Sequence, residues 1–186
     1  MVLLEFVQGE TMLDITDRAT QDEELQYHLL PSEEDRLQVI KNLIEAEEAI
    51  EWWGMLESAD HHPRNVIVGS DCSVTLIDFG LVYFRSRWPE VRERMREERR
   101  GLHPPSPIER LWGDYAYTEV RGEWSGYVPE SWIGNDENFH EWLLDTFGNS
   151  DKYQPLSESW LNEERHAKLS PRLLARLEAF GRKKKD

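Results

Sequence analysis

The chain has 186 residues, enough for one domain of ordinary size or one lobe of a larger fold. Its 22 Lys and Arg face 37 Asp and Glu, and the net charge of −15 opposes binding to phosphate backbones or anionic lipid by bulk charge. Hydrophobic residues make up 39% and aromatics 11%, with eight Trp, which excludes disorder throughout.

The apolar start, Met1 to Phe6, has no basic flank and is interrupted by Glu5, so no secretory signal is expected. No window approaches the length of about 18 apolar residues that a membrane span needs. Cys72 is the single cysteine, which rules out an intrachain disulfide and suits a reducing compartment. A soluble cytoplasmic protein is therefore expected, with no nucleic-acid or membrane partner.

The first 50 residues hold thirteen acidic and three basic side chains. Within them, Val2 to Val7 is an apolar run followed by Gly9, expected as a strand and turn. Residues 11–30 are polar with scattered apolar positions and are expected to hold a short helix over 21–29. Ser32 opens a stronger helix. It is a good N-cap, and Glu33, Glu34 and Asp35 favour the positive end of the helix dipole. Val39, Leu43, Ala46, Ile50 and Trp53 follow one stripe, widened by Ile40 and Ile44. Glu45, Glu47, Glu48 and Glu51 fall off it, onto an expected solvated face. Gly54 is the expected stop.

Val66-Ile67-Val68 and Val74-Thr75-Leu76-Ile77, parted by a turn that starts Gly69-Ser70-Asp71, predict a β-hairpin with a longer loop than the tightest type. Residues 85–100 hold seven Arg and four Glu. From Pro89 they suit a solvated helix with pairs such as Glu90–Arg94 and Arg94–Glu98, and the alternative is a recognition helix for an acidic partner. Leu102 to Pro107 ends it. Residues 108–135 are rich in Trp, Tyr and Gly with little periodicity and are expected as irregular cover over a core. Trp112, Trp124, Trp132 and Trp142 read as core rather than as a ligand platform. Asn138–Phe147 and Pro155–Leu169 predict short helices. Pro171–Phe180 predicts another, with Leu173, Leu174, Leu177 and Phe180 on one face and Gly181 as its stop. No repeat or low-complexity linker marks a domain boundary.

The chemistry concentrates in Asp60-His61-His62-Pro63-Arg64-Asn65, the hairpin, and Asp78-Phe79-Gly80. Phosphoryl transfer from ATP needs a carboxylate to orient the attacking hydroxyl. It also needs oxygen ligands that hold Mg²⁺ against the phosphates. A D-x-x-x-x-N loop, a hairpin and D-F-G supply these parts, because the hairpin returns the chain and brings Asn65 near Asp78. Other candidates are weaker. Adjacent His61 and His62 lack a third ligand at suitable spacing. Gly9 and Gly80 form no phosphate loop. Cys72 reads as a surface residue rather than a nucleophile.

Ser58-Ala59-Asp60-His61-His62-Pro63-Arg64-Asn65 and Ile77-Asp78-Phe79-Gly80 resemble the catalytic core of the protein-kinase-like superfamily. The likeness is to its divergent fungal branch, which is also similar to aminoglycoside phosphotransferases, with H-G-D-x-x-P-R-N and then I-D-F-G. The helix from residue 32 looks like the one that precedes the catalytic loop. Leu3 to Val7 with Gly9 resembles the hinge strand whose backbone meets adenine. The resemblance covers residues 1–84.

It implies an α+β, mainly helical fold: the C-terminal lobe of a protein-kinase-like domain with a small β-hairpin at the active site. The parts would be a hinge strand over 1–9, a large-lobe core over 32–84 and a divergent helical remainder over 85–186. It implies an ATP- and Mg²⁺-dependent phosphotransferase acting on a hydroxyl of a protein or a small molecule. Asp60 would be the catalytic base, Asn65 and Asp78 the metal ligands, and Glu5, Phe6 and Val7 the adenine-binding backbone.

The pattern is also broken in places. Ser58-Ala59 stands where the family has His-Gly or His-Arg. No glycine-rich loop and no phosphate-binding lysine strand precede the hinge, and Lys41 is the only lysine before Lys152. Val128-Pro129-Glu130 is the nearest string to Ala-Pro-Glu. The expectation is therefore a lobe-only chain with little turnover by itself and an exposed hinge edge open to self-association. The alternative is a catalytically inactive pseudokinase or binding module, or a truncated gene product.

Overall fold

A computed structural model describes residues 7–21, 32–54, 56–58, 62–79, 82–112, 124, 126–132, 136–161 and 169–182. Its elements are α and β mixed, and mainly helical. The chain divides into two compact units, Met1–Arg96 with Val120–Pro129, and Glu97–Glu119 with Glu130–Asp186. No helix of the described residues is long and apolar enough to cross a membrane.

In the first unit, strand β1 (Glu10–Thr11) leads directly into helix α1 (Met12–Gln21). Thr11 starts the helix. Its hydroxyl accepts from the Asp14 amide at 3.0 Å and donates to the Asp14 carboxylate at 2.6 Å, a reciprocal cap. Met12 and Ile15, three apart, bury the helix on one side. The helix expected over 21–29 falls almost wholly outside the described residues, and the described helix ends where that one was expected to begin. Of the expected strand at 2–7 only Val7 is described, and it lies in no strand.

Helix α2 (Glu33–Gly54) begins and ends where the sequence predicts. Ser32 caps it, accepting from the Asp35 amide at 3.0 Å and donating to the Asp35 carboxylate at 2.7 Å. Its buried positions are Val39 and Ile40, Leu43 and Ile44, then Glu47 and Glu48. This corrects the expected solvated face. Burial repeats every four residues, so the stripe drifts around the axis and passes onto Glu47 and Glu48 rather than Ala46, Ile50 and Trp53. Trp53 is left 47% exposed. Buried carboxylates need compensating interactions, and both Glu47 and Glu48 interact with other groups.

After α2 comes strand β2 (Leu56–Ser58). A 3₁₀ turn, Pro63–Asn65, then enters strand β3 (Val66–Val68), which pairs antiparallel with β4 (Val74–Leu76) in the register Val66↔Leu76, Ile67↔Thr75, Val68↔Val74. β1 adds to the other edge of β3, with Glu10 opposite Val68. A second sheet pairs β2 with β5 (Val82–Phe84), Leu56↔Phe84 to Ser58↔Val82. Neither β2 nor β5 was expected. α2 packs against β2 and β4. Trp124 and Tyr127 are buried in this unit.

Helix α3 (Pro89–Arg99) follows, charged and with no buried residue, as its composition predicts. One of its ion pairs is Glu93–Arg96 at 3.3 Å, spaced three apart rather than four.

In the second unit, Ser106 caps α4 (Pro107–Leu111), a short helix within residues expected to be irregular. Pro107 fits the first turn, where no amide donor is needed. Ile108, Leu111 and Trp112 are buried, so this stretch is core rather than cover. Helix α5 (Asp136–Phe147) starts two residues earlier than predicted and buries Phe139, Leu143, Leu144 and Phe147. Aromatic rings fill the space around it. Trp132 lies 5.1 Å from Phe139, Trp112 stacks on His140 at 4.2 Å, and Trp160 meets Trp112 at 5.4 Å. The helix predicted from Pro155 is reduced to α6 (Glu158–Leu161), with residues 162–168 outside those described. Helix α7 (Pro171–Arg182) runs through Gly181, which does not stop it. Leu173 and Leu177 are buried, and Arg172 pairs with Glu141 of α5 at 2.9 Å.

Candidate functional site

The loop that enters β3 is held from within. His62 caps the 3₁₀ turn, its Nδ1 accepting from the Arg64 amide at 3.3 Å and its carbonyl accepting from the Asn65 amide at 2.8 Å. Pro63 is buried and fixes the turn's φ. Asn65 is 5% exposed at the mouth of the hairpin.

Beyond the last strand pair, the Ile77 amide donates to the Asn65 carbonyl at 2.9 Å. That bond extends the ladder by one step and puts Asp78, the next residue, beside Asn65 in the backbone. Asp78 leaves the strand at φ +56, a left-handed conformation, and its side chain is exposed. Asp and Asn are among the non-glycine residues that adopt such a backbone most readily, whereas a β-branched residue there would cost about 1–2 kcal/mol. Asn65 and Asp78 both have interactions with other groups.

The segment between β2 and β5 contains the whole loop–hairpin–Asp78 sequence. Pairing of Ser58 with Val82 closes that segment like a clasp, so both ends are anchored to one sheet. An ion pair between Glu51, near the end of α2, and Arg85, just after β5, adds a second tie. These anchors were not read from the sequence. The run Val82-Tyr83-Phe84 carries a β-forming signal, but Leu56-Glu57-Ser58 carries little.

Of the candidate residues, the structure brings Asn65 and Asp78 to one end of the hairpin. Val7 is half-buried and precedes β1. Asp60, Glu5 and Phe6 lie outside the described residues. An amide oxygen and a carboxylate are hard donors, suited to Mg²⁺. Among the described residues no group of three or more His, Cys, Asp and Glu gathers in a way that could hold a metal ion.

A cleft of about 780 Å³ opens elsewhere, at the turn end of the hairpin. It is lined by Gln8, Gly9, Glu10, Asp35, Val68 and the loop from Gly69 to Ser73. Asn65 lies about 10 Å back along the strand from this end, at roughly 3.3 Å per residue. In that loop Cys72 adopts φ +62, and its carbonyl accepts from Asn42 Nδ2 of α2 at 2.7 Å. Its thiol is pushed up by partial burial and by the Asp35 carboxylate, whose Oδ1 is 3.8 Å away. A thiol held protonated is a poor nucleophile.

Comparison with protein-family models, with curated proteins and with solved structures finds no match.

Proposed function

We propose that this chain carries the catalytic-loop and metal-binding region of a protein-kinase-like, ATP- and Mg²⁺-dependent phosphotransferase. The observation that supports the reading most is the Ile77–Asn65 bond at 2.9 Å, which seats the asparagine of D-x-x-x-x-N beside the aspartate of D-F-G. The left-handed Asp78 backbone adds to it, since it turns the chain off the regular strand path directly after the Asn65 rung.

In this reading Asn65 and Asp78 would hold Mg²⁺ through their side-chain oxygens, which are hard donors suited to it. Bound Mg²⁺ supplies charge neutralisation on the transferring phosphoryl group. Asp60 orients the acceptor hydroxyl and takes its proton. The backbone from Glu5 to Val7 meets adenine. The acceptor is a hydroxyl of a protein or a small molecule. A second reading, an inactive pseudokinase that binds without transferring, is favoured by Ser58-Ala59 in place of the residues that precede the catalytic aspartate in the family.

Mn²⁺-dependent broadening of ATP phosphorus resonances tests the site, and γ-phosphate loss tests the chemistry. The expected result is metal-dependent ATP binding that Asp78→Asn weakens at least about tenfold. Asp60→Asn should leave binding intact and remove any transfer. ATP binding indifferent to metal and to Asp78→Asn would overturn the proposal. Binding without transfer by the unaltered chain would select the second reading.

A further inference from the structure

We propose that the surface running from β5 into the first turn of α3 is a docking site for an acidic, carboxylate-bearing peptide segment of another protein. This does not rest on the phosphotransferase reading. Tyr83, Phe84 and Trp88 are 64%, 51% and 69% exposed. Tyr83 and Phe84, adjacent in β5, take opposite faces of the strand, and the Arg92 guanidinium over the Phe84 ring ties the Phe84 face to α3, so Phe84 and Trp88 are the exposed rings of this surface. Aromatic side chains also give much contact area for little conformational entropy. Trp88 is held at the start of α3, where its carbonyl accepts from the Val91 and Arg92 amides at 3.1 and 3.2 Å. α3 itself buries none of its residues, so this helix surface is not consumed by the chain's own core.

Charge selects the occupant. Acidic residues outnumber basic ones 37 to 22, so a guanidinium without a carboxylate is unexpected here. Arg87 and Arg92 are two of them, within five residues of each other, and neither makes an ion pair among the described residues. Arg92 lies over the Phe84 ring at 4.2 Å and donates to the Ser86 carbonyl at 2.9 Å. That stacking fixes the side chain in advance and leaves its charge available, which lowers the ordering cost of binding. Arg85 and Arg96 are already neutralised, by Glu51 and Glu93. The surface therefore offers two cations, Arg87 and Arg92, and two exposed rings, Phe84 and Trp88. Spaced carboxylates with apolar side chains between them match that pattern. A single phosphate group calls for several guanidiniums converging on one point, and a polynucleotide calls for a longer row of cations than Arg87 and Arg92 supply.

The test is fluorescence anisotropy of a labelled peptide alternating Glu and Leu, set against the same peptide with Gln for Glu. The acidic peptide should bind, and the Gln peptide at least about tenfold more weakly. Raising salt from 0.05 to 0.5 M should cost about tenfold in affinity, as expected for a screened charge contact. Arg87→Glu and Trp88→Ala, both at exposed side chains, should each reduce binding about tenfold or more while circular dichroism and melting temperature stay unchanged. Equal binding of the two peptides, no binding by folded protein, or indifference to both substitutions would overturn the proposal. So would a single-stranded oligonucleotide that displaces the peptide at lower concentration. Sedimentation showing a dimer abolished by the same substitutions would assign the patch to a second copy of the chain and overturn it equally.

Discussion

The Ile77 amide and the Asn65 carbonyl, 2.9 Å apart, form the last rung of the β3–β4 hairpin, one step past the strands themselves. Everything that Asp78 can do follows from that rung, because it fixes where the chain stands when it turns left-handed at φ +56. Asn and Asp tolerate this conformation, whereas a β-branched residue does not. Asp78→Asn should therefore change stability by less than about 0.5 kcal/mol. Asp78→Val should cost at least about 1–2 kcal/mol, a fall of roughly 2–8 °C in melting temperature for a chain of this size. On the phosphotransferase reading, both should also weaken metal-dependent ATP binding alike. Thermal unfolding beside Mn²⁺ titration separates the backbone role from the carboxylate's role. Equal stability of the two variants would show that the left-handed backbone at residue 78 costs a β-branched side chain nothing.

Gly9 is the opposite case, a residue chosen for what it lacks. Its φ is +153, and a Cβ built on it would lie 2.5 Å from the Val68 carbonyl oxygen and 2.7 Å from Ile67 Cγ2. Both are parts of β3, which cannot yield without breaking the β1–β3 pairing of Glu10 with Val68. Gly9→Ala should destabilise the chain by about 2 kcal/mol or more, seen as a drop of roughly 4–8 °C in melting temperature. A melting temperature unchanged by the substitution would mean that β1 lifts off β3 at little cost.

Most of what is legible in the sequence is local, and what depends on distant partners is not. α2 was legible because Ser32 and the acidic first turn mark its start and Gly54 its end. β3 and β4 were legible because β-branched residues flank a turn. The lower half of α2 was misread. Glu47 and Glu48 are buried, and nothing in a charge pattern says that a helix will wrap its neighbours with a four-residue repeat. β2 and β5 were missed because each is three residues long and is a strand only through the other. α1 was overlooked although Thr11 and Asp14 spell a capping pair before Met12 and Ile15. The site was half legible. The hairpin between Asn65 and Asp78 was predicted, but the clasp that anchors its two ends lies in a pairing between residues far apart in sequence.

The two reciprocal caps give a local measure of helix stability. Thr11 serves α1 through Asp14, and Ser32 serves α2 through Asp35. Each hydroxyl satisfies an amide that no helical carbonyl can reach. Thr11→Ala and Ser32→Ala should each cost about 1 kcal/mol. The pairs share no residue, so the double variant should lose the sum to within about 0.5 kcal/mol. Urea unfolding of the four proteins checks this. A double variant no less stable than either single one would show that α1 and α2 do not unfold together.

Tyr127 sets the chain's response to alkali. Its ring is 1% exposed, and its hydroxyl has no hydrogen-bond partner among the described residues. A buried hydroxyl without a partner carries a desolvation cost, so Tyr127→Phe should leave stability near neutral pH unchanged or raise it by about 1 kcal/mol. Burial pushes the phenol well above its ordinary range, and the nearby Cys72 adds a smaller push in the same direction. In the unfolded chain the phenol ionises near its usual pKa of about 10. Above that pH the unfolded state releases a proton that the folded state keeps, so stability must fall as pH rises. At pH 11, one unit beyond, the loss from this one residue is about 1.4 kcal/mol. The Cys72 thiol, also raised, contributes a fall of the same sign that begins at lower pH. Comparing the two proteins cancels that contribution and those of the other tyrosines. Between pH 8 and pH 11 the unaltered chain should lose about 1.4 kcal/mol more than Tyr127→Phe, measured by urea unfolding at each pH. Identical losses would mean that the Tyr127 hydroxyl reaches solvent in the folded protein.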